Sequence, residues 1–412
     1  MTLSRLGLFS VHGYVEAEPR LGATDTGGQV TYVLELARAL AGQGVAVDLY
    51  TRQFDNRPEE EAAGEGVRLR RIPCGPLGFV IKEELYPYWP EFVDRCERYM
   101  GAHGLSYDLL HSHYWDAGYA CRLLAPRLGI PFVHTSHSLG AWKRELMGGD
   151  PAEMEKLYHF DERVAEESRV FAAAAGLTVT NPASVEKYRE YYGVEAGPNM
   201  VVIPPGVNTD RFNATDDGRA VAATEGPYHF ALSRIDTNKG LDFLLHAFAR
   251  VAPEAPTLRL VIGGGSAEPQ ERERRVREEL QDVAATHGLE GRVTFTGYVT
   301  DDDLPYYYRR AEAFVLPSKF EPFGMTALEA MACGTPVVAT NLGGLARFLV
   351  DGRDALLVDP SVTEELAGAL RRLVVNPDLA AQLVAAGHET IAGEFTWEAI
   401  ARKHLAFYER FV

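Results

Sequence analysis

The sequence predicts an α/β protein built from two successive Rossmann-like domains, each a doubly wound parallel sheet. Three observations carry this expectation. The chain has 412 residues, too many for one ordinary core and suited to two α/β domains. Short apolar runs alternate with stretches whose apolar residues recur at helical spacing, the signature of repeated βαβ units. Finally, this alternation is interrupted once, by the polar segment 213–227, which is scattered with Asp, Thr and Gly and then gives way to a second series of the same kind.

The first unit opens with the strand LGLFSV, a loop rich in Gly and Thr, the helical run GGQVTYVLELARALAGQG and the strand VAVDLYT. DLLHSHY then leads into the helix DAGYACRLLAPRLG, PFVHTSH into a long charged helical region, and AGLTVTN into SVEKYREYYG, before VVIPPGVN ends at a Pro-Pro-Gly turn. We place the domain boundary after residue 212. The second series runs YHFALSRI, helix GLDFLLHAFARVA, strand TLRLVIGGG, helix ERRVREELQDVAATHG, strand RVTFTGYV, helix DDLPYYYRRA, strand AFVLPS, helix MTALEAMACG and strand PVVAT. The expected domains are 1–212 and 213–394, with a cleft at their interface, a favoured place for ligands. TWEAIARKHLAFYERFV closes the chain as an amphipathic helix, expected to pack across a domain.

Composition narrows the function classes. A hydrophobic fraction of 46% and a charged fraction of 24% are those of a globular protein. The net charge of −17 argues against nucleic acid and anionic lipid as partners, so any phosphate must meet a local cluster of cations. Four cysteines without a C-x-x-C pair suggest neither zinc nor redox chemistry and fit a reducing cytoplasm. We read no export signal and no membrane span, and the segment from Trp89 to Gly104 carries both signs of charge, unlike a basic membrane-surface helix.

The most specific motif is Glu321-Pro-Phe-Gly-Met-Thr-Ala-Leu-Glu329. Glu321 precedes a helix and stands beside the free N–H groups of Gly324, Met325 and Thr326. Glu329 lies about two turns further on the same side. One end of an elongated ligand can meet each carboxylate. A second motif, Ser233-Arg234-Ile-Asp-Thr-Asn-Lys239-Gly240, puts two cations five residues apart around a turn, where Arg as a fork and Lys as a point charge can converge on a diphosphate. A third, Asp25-Thr26-Gly27-Gly28-Gln29, places two glycines where a strand turns into a helix, so that an anion can approach the backbone amides.

With these strings the chain resembles, over essentially its whole length, the family 4 glycosyltransferases of the GT-B fold. HGYVEAEPRLGATDTGGQVTYVLELARAL and HSLGAWKRELM resemble in particular the branch containing sucrose-phosphate synthases and mannosylfructose-phosphate synthases. The resemblance implies a retaining hexosyltransferase with no strict metal requirement and a C-terminal helix, 395–412, that crosses back to the first domain. It implies that Glu321 hydrogen-bonds the donor hexose and that Phe323, Gly324, Met325 and Thr326 form the loop holding phosphate and sugar. Glu329 would take the ribose hydroxyls, and Arg234 and Lys239 would stabilise the departing nucleoside diphosphate. Tyr298 and Val299 would border the base through their backbone, and Gly28 and Gln29 would contact donor phosphate and acceptor. His137 would face the hexose at the reacting centre, and Lys82, Lys143 and Arg163 are candidates for an acceptor phosphate, with Arg144 beside them. The donor expected is GDP-mannose and the acceptor fructose 6-phosphate, with UDP-glucose as the alternative donor. The other partners expected are none beyond these small molecules, as a monomer or homodimer.

Other readings remain at this point. His111 and His113 point to one strand face without a third metal ligand. Thr300-Asp-Asp-Asp303 reads as a helix N-cap rather than a metal motif, and Gly263-Gly264-Gly265 as a tight strand-end turn. A nucleotide-sugar epimerase or hydrolase on the same fold would break the donor down without an acceptor. A nicotinamide-dependent dehydrogenase would need G-x-G-x-x-G after the first strand, and DTGGQVT lacks that spacing. Lipid acceptors fit poorly with the acidic chain.

Overall fold

A computed structural model describes residues 3–12, 14–17, 28–219, 221–222, 225–319 and 321–412. Asp25, Thr26 and Gly27 of the third motif lie outside the described residues. The chain divides into two compact units, Met1–Pro205 with Trp397–Val412, and Gly206–Thr396.

The first unit is built on an eight-stranded sheet: β1 (Arg5–Phe9), β2 (Ala46–Gln53), β3 (Glu60–Gly64), β4 (Val67–Pro73), β5 (Leu109–His113), β6 (Phe132–Thr135), β7 (Gly176–Val179) and β8 (Met200–Val202). Its order is β3-β4-β2-β1-β5-β6-β7-β8. Every pair is parallel except β3 with β4. The central strands are buried on both faces, as helix-covered parallel sheets require, and Leu6, Leu8, Leu109, Leu110 and Val133 are inaccessible to solvent. The strand order reverses between β1 and β5, a switch point of the kind where ligands collect at the carboxyl ends of the strands.

The second unit has six parallel strands, β9 (Tyr228–Ser233), β10 (Arg259–Gly264), β11 (Val293–Gly297), β12 (Ala313–Leu316), β13 (Val337–Thr340) and β14 (Leu356–Val358), in the order β11-β10-β9-β12-β13-β14. The glycine turn after β10 needs glycine for a physical reason. Gly264 has φ +112, and a Cβ there would lie 1.9 Å from the Ser233 carbonyl oxygen.

Both ends of the second domain, expected at 213 and 394, differ, since the unit runs Gly206–Thr396. Val207 and Phe212 bury in the core of the second unit with Tyr228, Phe230 and Phe395, so the division falls at Pro205/Gly206 rather than after residue 212. The polar stretch at 213–227 follows the crossing instead of marking it. The C-terminal helix, Trp397–Tyr408, belongs to the first unit, where Trp397, Ile400, Phe407 and Tyr408 join Leu6, Val33 and Leu36 in one apolar cluster. The long charged region after β6 folds as three helices, Gly140–Met147, Pro151–Tyr158 and Phe160–Ala173. It breaks at Gly148 and at His159, both with positive φ.

Candidate active site

In the second unit the predicted donor residues gather at the carboxyl ends of β9, β12 and β13. After β9 the chain turns through Thr237–Lys239 into Gly240, whose φ is +65. A Cβ at Gly240 would stand 1.9 Å from the Pro317 carbonyl oxygen, so only glycine lets this turn approach the end of β12. That approach delivers Lys239 to Glu321: Nζ donates to Oε2 at 2.8 Å, and Ser318 Oγ donates to the same oxygen at 3.1 Å. Both side chains are largely covered, with Lys239 13% and Glu321 15% exposed, and the other carboxylate oxygen of Glu321 takes part in neither bond. Arg234 is exposed on the same turn.

The Glu321 loop is held from the other side. Gly344 N–H donates to the Glu321 carbonyl at 3.0 Å and Leu345 N–H to the Phe323 carbonyl at 2.9 Å. The Phe323 ring packs in the core against Phe348 and Phe395, so what this residue can offer a ligand is backbone. Gly324 caps the helix Met325–Ala332 with φ +115, and Met325 and Thr326 stand half-buried at its first turn. Further along, Glu329 Oε2 accepts from Tyr308 Oη at 2.8 Å. Burial pushes the Glu329 carboxyl up to about 7, against the opposing pull of the Tyr308 hydrogen bond and the Arg211 charge. Near neutral pH this group is therefore poised between acid and carboxylate. Val299 is half-buried against Gly263, and Tyr298 is exposed. Asp303 sits at the N-cap of Leu304–Arg310 without a side-chain cap bond. Its carboxylate instead takes Thr300 Oγ1 and Arg219, so the expected cap is made through a Thr300 turn.

In the first unit the same strand-end logic assembles a histidine cluster. β5 and β6 pair His113 opposite Thr135, which brings His137, two residues on, to His113. The His113 Nδ1 to His137 Nε2 distance is 2.9 Å. His137 holds φ +55, one of four non-glycine residues with positive φ among those described, a conformation that costs about 1–3 kcal/mol and tends to occur at functional sites. Burial and neighbouring histidines push His111 and His113 far below the usual range, and burial takes His137 down to about 3, so all three are neutral at pH 7. His111 is saturated by Tyr408 Oη and Thr135 Oγ1; its i, i+2 partner His113 shares its face with ring centroids 4.0 Å apart. Gly28 is exposed at the start of the helix Gly28–Gly42, and Gln29 Nε2 donates to Ser10 Oγ at 3.2 Å and to the His113 carbonyl at 3.5 Å.

Lys82, Lys143 and Arg163, separated widely in sequence, line one pocket together with Glu83, Tyr114, Trp115, Tyr158 and Phe160, and Lys82 Nζ stands 3.5 Å from Glu83 Oε1. Lys82 reaches it from the loop after β4, which is pinned from beneath. The fully buried Arg52 donates Nε to the Cys74 carbonyl and Nη1 to the Gly78 carbonyl, each at 3.0 Å, and Nη2 to the Pro76 carbonyl. Lys143 lies 5.4 Å over the Tyr158 ring. Arg163 is buried, donating to Glu167, to Tyr114 Oη and to the Ser138 carbonyl, each at 2.8 Å. Glu167 in turn accepts the Gly140 N–H and the Tyr192 hydroxyl, and a Cβ on Gly140 would lie 2.9 Å from both Arg163 Nε and Glu167 Oε2. Arg163 thus organises the wall of the pocket while two lysines rim it. Arg144 pairs with Asp161 at 2.8 Å on the exposed side. Sequence reasoning missed Glu167, Tyr114, Tyr308 and the link from His113 to His137; the HSLG glycine was the available signal for the first.

Two α/β units, one carrying a clustered carboxylate, lysine and helix start and the other a histidine cluster and a separate lysine–arginine pocket, fit a glycosyltransferase. Residues 27–206 match the glycosyl transferase 4-like domain and residues 214–390 match glycosyl transferases group 1. The chain is 41% identical to the mannosylfructose-phosphate synthase of Agrobacterium fabrum, over 98% of this chain and 91% of that one. It is 35% identical to a D-inositol 3-phosphate glycosyltransferase of Acidothermus cellulolyticus, over 99% and 90%. The solved sucrose-phosphate synthase of Thermosynechococcus elongatus superposes with a TM-score of 0.79 at 32% identity, covering 99% of this chain and 98% of that one. The chain belongs to the family 4 glycosyltransferases of the GT-B fold, and it is a hexosyltransferase. Among the described residues no helix is long and apolar enough to cross a membrane.

Proposed function

We propose that the enzyme moves a mannosyl group from GDP-mannose to fructose 6-phosphate with retention of configuration. The observation that carries this reading is the convergence of Lys82 and Lys143 on a pocket walled by Arg163: three cations against the one carboxylate of Glu83, in a chain of net charge −17, suit a small phosphorylated acceptor. The identity to a mannosylfructose-phosphate synthase supports the choice of sugars. UDP-glucose as donor is the second reading, favoured by the likeness to a sucrose-phosphate synthase.

In this mechanism Glu321 accepts hydrogen bonds from donor hexose hydroxyls, fixed in place by Lys239 and Ser318. Glu329 accepts from the ribose. Arg234 and Lys239, with the amides at the start of Met325–Ala332, neutralise charge on the departing diphosphate, so stabilisation grows as the bond to the anomeric carbon breaks. The acceptor hydroxyl attacks from the face the diphosphate leaves, and its proton passes to the departing phosphate oxygen. No divalent ion has a part in this scheme. His137 hydrogen-bonds the hexose, and Gly28 and Gln29 meet donor phosphate and acceptor. The enzyme works in the cytoplasm, as a monomer or homodimer.

Mass spectrometry of products tests this, after incubation with chelator, either donor, and fructose 6-phosphate present or absent. An acceptor-dependent disaccharide phosphate from GDP-mannose is the expected result. The same from UDP-glucose alone selects the second reading, and nucleotide release without acceptor would overturn both.

A further inference from the structure

His113 is a buried histidine with an unusual balance of bonds. One ring nitrogen, Nδ1, meets His137 Nε2 at 2.9 Å. The other, Nε2, is buried and has no hydrogen-bond partner among the described residues. Its ring centroid lies 4.0 Å from that of His111, whose own nitrogens are both taken by hydroxyls, and 5.7 Å from that of Tyr32. Neutral imidazole carries one N–H, so the short contact must be donated from one ring and accepted by the other.

The orphaned nitrogen decides the direction. Were His137 to donate, His113 would have to carry its proton on Nε2, leaving a buried N–H with nothing among the described residues to receive it, a desolvation cost of about 1–3 kcal/mol. Were His113 to donate from Nδ1, its Nε2 would be left as a bare lone pair against packed rings, the less costly of the two deficits. We infer that His113 is the positioning residue of the reacting centre: it donates Nδ1–H to His137 Nε2 and thereby holds His137 in the tautomer that carries its proton on Nδ1. His137 then offers the donor hexose a hydrogen-bond donor rather than an acceptor, and its ring is held at the angle its left-handed backbone sets. Which nitrogen of a histidine is protonated is fixed by the partner of the other. Here that partner is a second histidine on the neighbouring strand. The Tyr32 ring packs against His137 in an edge-to-face arrangement, with ring centroids 4.9 Å apart.

This inference rests on His137 acting at the hexose, and the test separates the two. Long-range proton–nitrogen correlation on the intact protein labelled with nitrogen-15 histidine, with His137 assigned by loss of its signals in His137→Ala, reads the tautomer without turnover. Protonation on Nδ1 of His137 is expected; protonation on Nε2 overturns the inference whatever the activity. In turnover, His113→Asn keeps an amide donor at the place of Nδ1 and should retain kcat within a few-fold. His113→Asp, nearly the same in size and, when ionised, able only to accept, should lower kcat by about ten- to a hundredfold at a pH where the carboxyl is ionised, the usual cost of losing a partner that orients a site histidine, with little change in acceptor KM. Equal kcat in the Asn and Asp variants, both melting cooperatively, overturns the assigned direction. Unchanged turnover in His137→Ala would instead sink the role given to His137 while leaving the tautomer measurement standing.

Discussion

Replacing Glu329 by Gln should stabilise the unliganded protein, and the gain should depend on pH. Burial raises the Glu329 carboxyl from an ordinary 4.5 to about 7, so in the native state it resists ionisation while in the unfolded chain it ionises freely. Folded pKa above unfolded pKa means that this group's contribution is fully present below pH 4.5 and is lost as pH rises through 7. At 1.36 kcal/mol per pH unit the interval amounts to about 3 kcal/mol by pH 8. The side chain is partly accessible, which screens the charge and leaves about 1–3 kcal/mol. Glutamine keeps an oxygen for the Tyr308 hydroxyl and has no charge to desolvate. Relative to wild type, Glu329→Gln should therefore gain little at pH 5 and most of that amount at pH 8, a difference of about 3–8 °C in melting temperature for a unit of this size. Differential scanning fluorimetry of both proteins across pH 5–8 reads it, and every other titrating group cancels in the comparison. A gain equal at both ends of the range, or a loss at pH 8, would refute the reasoning. The same substitution should weaken binding of the nucleotide, since an amide offers the ribose one accepting oxygen in place of a carboxylate.

Removing either rim lysine, Lys82→Ala or Lys143→Ala, should raise KM for the sugar phosphate by about 10–100-fold, the worth of a charge-assisted hydrogen bond. With the unphosphorylated sugar, wild type and both variants should behave alike; initial rates with the two acceptors decide it. Gly240→Ala forces a Cβ within 1.9 Å of the Pro317 carbonyl oxygen at φ +65; we expect a loss of about 2–4 kcal/mol in urea denaturation, from strain at a position that must move to survive. Burial takes His134 and His137 down to about 3 and His229 and His404 to about 4. Each folded pKa lies below its unfolded value, so stability present above 6.5 should drain away as pH falls toward 4, by up to about 1.4 kcal/mol per pH unit for each histidine. A urea midpoint that is flat over pH 6.5–4.5 contradicts this.

The alternation of apolar strands and helical runs was legible in the sequence because buried parallel strands leave continuous Val, Ile and Leu runs. The strands that escaped show why legibility ends. β4 carries Arg70 and Arg71 at buried positions, matched by Asp48, Glu60 and Glu61; their partners sit on other strands, so in sequence they read as surface charge. β14 has three residues, too few to express a period. For the site, local spacing sufficed to put Arg234 with Lys239 around one turn and Glu321 with Glu329 along one helix, but the bond from Lys239 to Glu321 spans 82 residues and had no local signal. Arg163 was visible as a cation, but the Glu167 that neutralises it one helical turn on was not weighed, so its bracing of the pocket wall had no signal in the sequence. The bond from His113 to His137 depends on which strands neighbour each other, information that no local window contains.

The chain enters the second unit and leaves it side by side. Val207 N–H donates to the Phe395 carbonyl at 2.7 Å, and Val207 bridges to Thr396 in parallel register, one residue before the C-terminal helix rejoins the first unit. Residues 206–396 are therefore a cassette inserted through a pair of adjacent splice points, and the first unit is a discontinuous host whose core is finished only by Trp397–Tyr408. Recombination between relatives that aims to exchange donor preference should cut at both points, since a single crossover near residue 206 would pair one parent's Trp397 helix with the other parent's histidine cluster and split a core that evolved as one piece. It also sets an order for synthesis: the host cannot seal its apolar face until the whole cassette has been made.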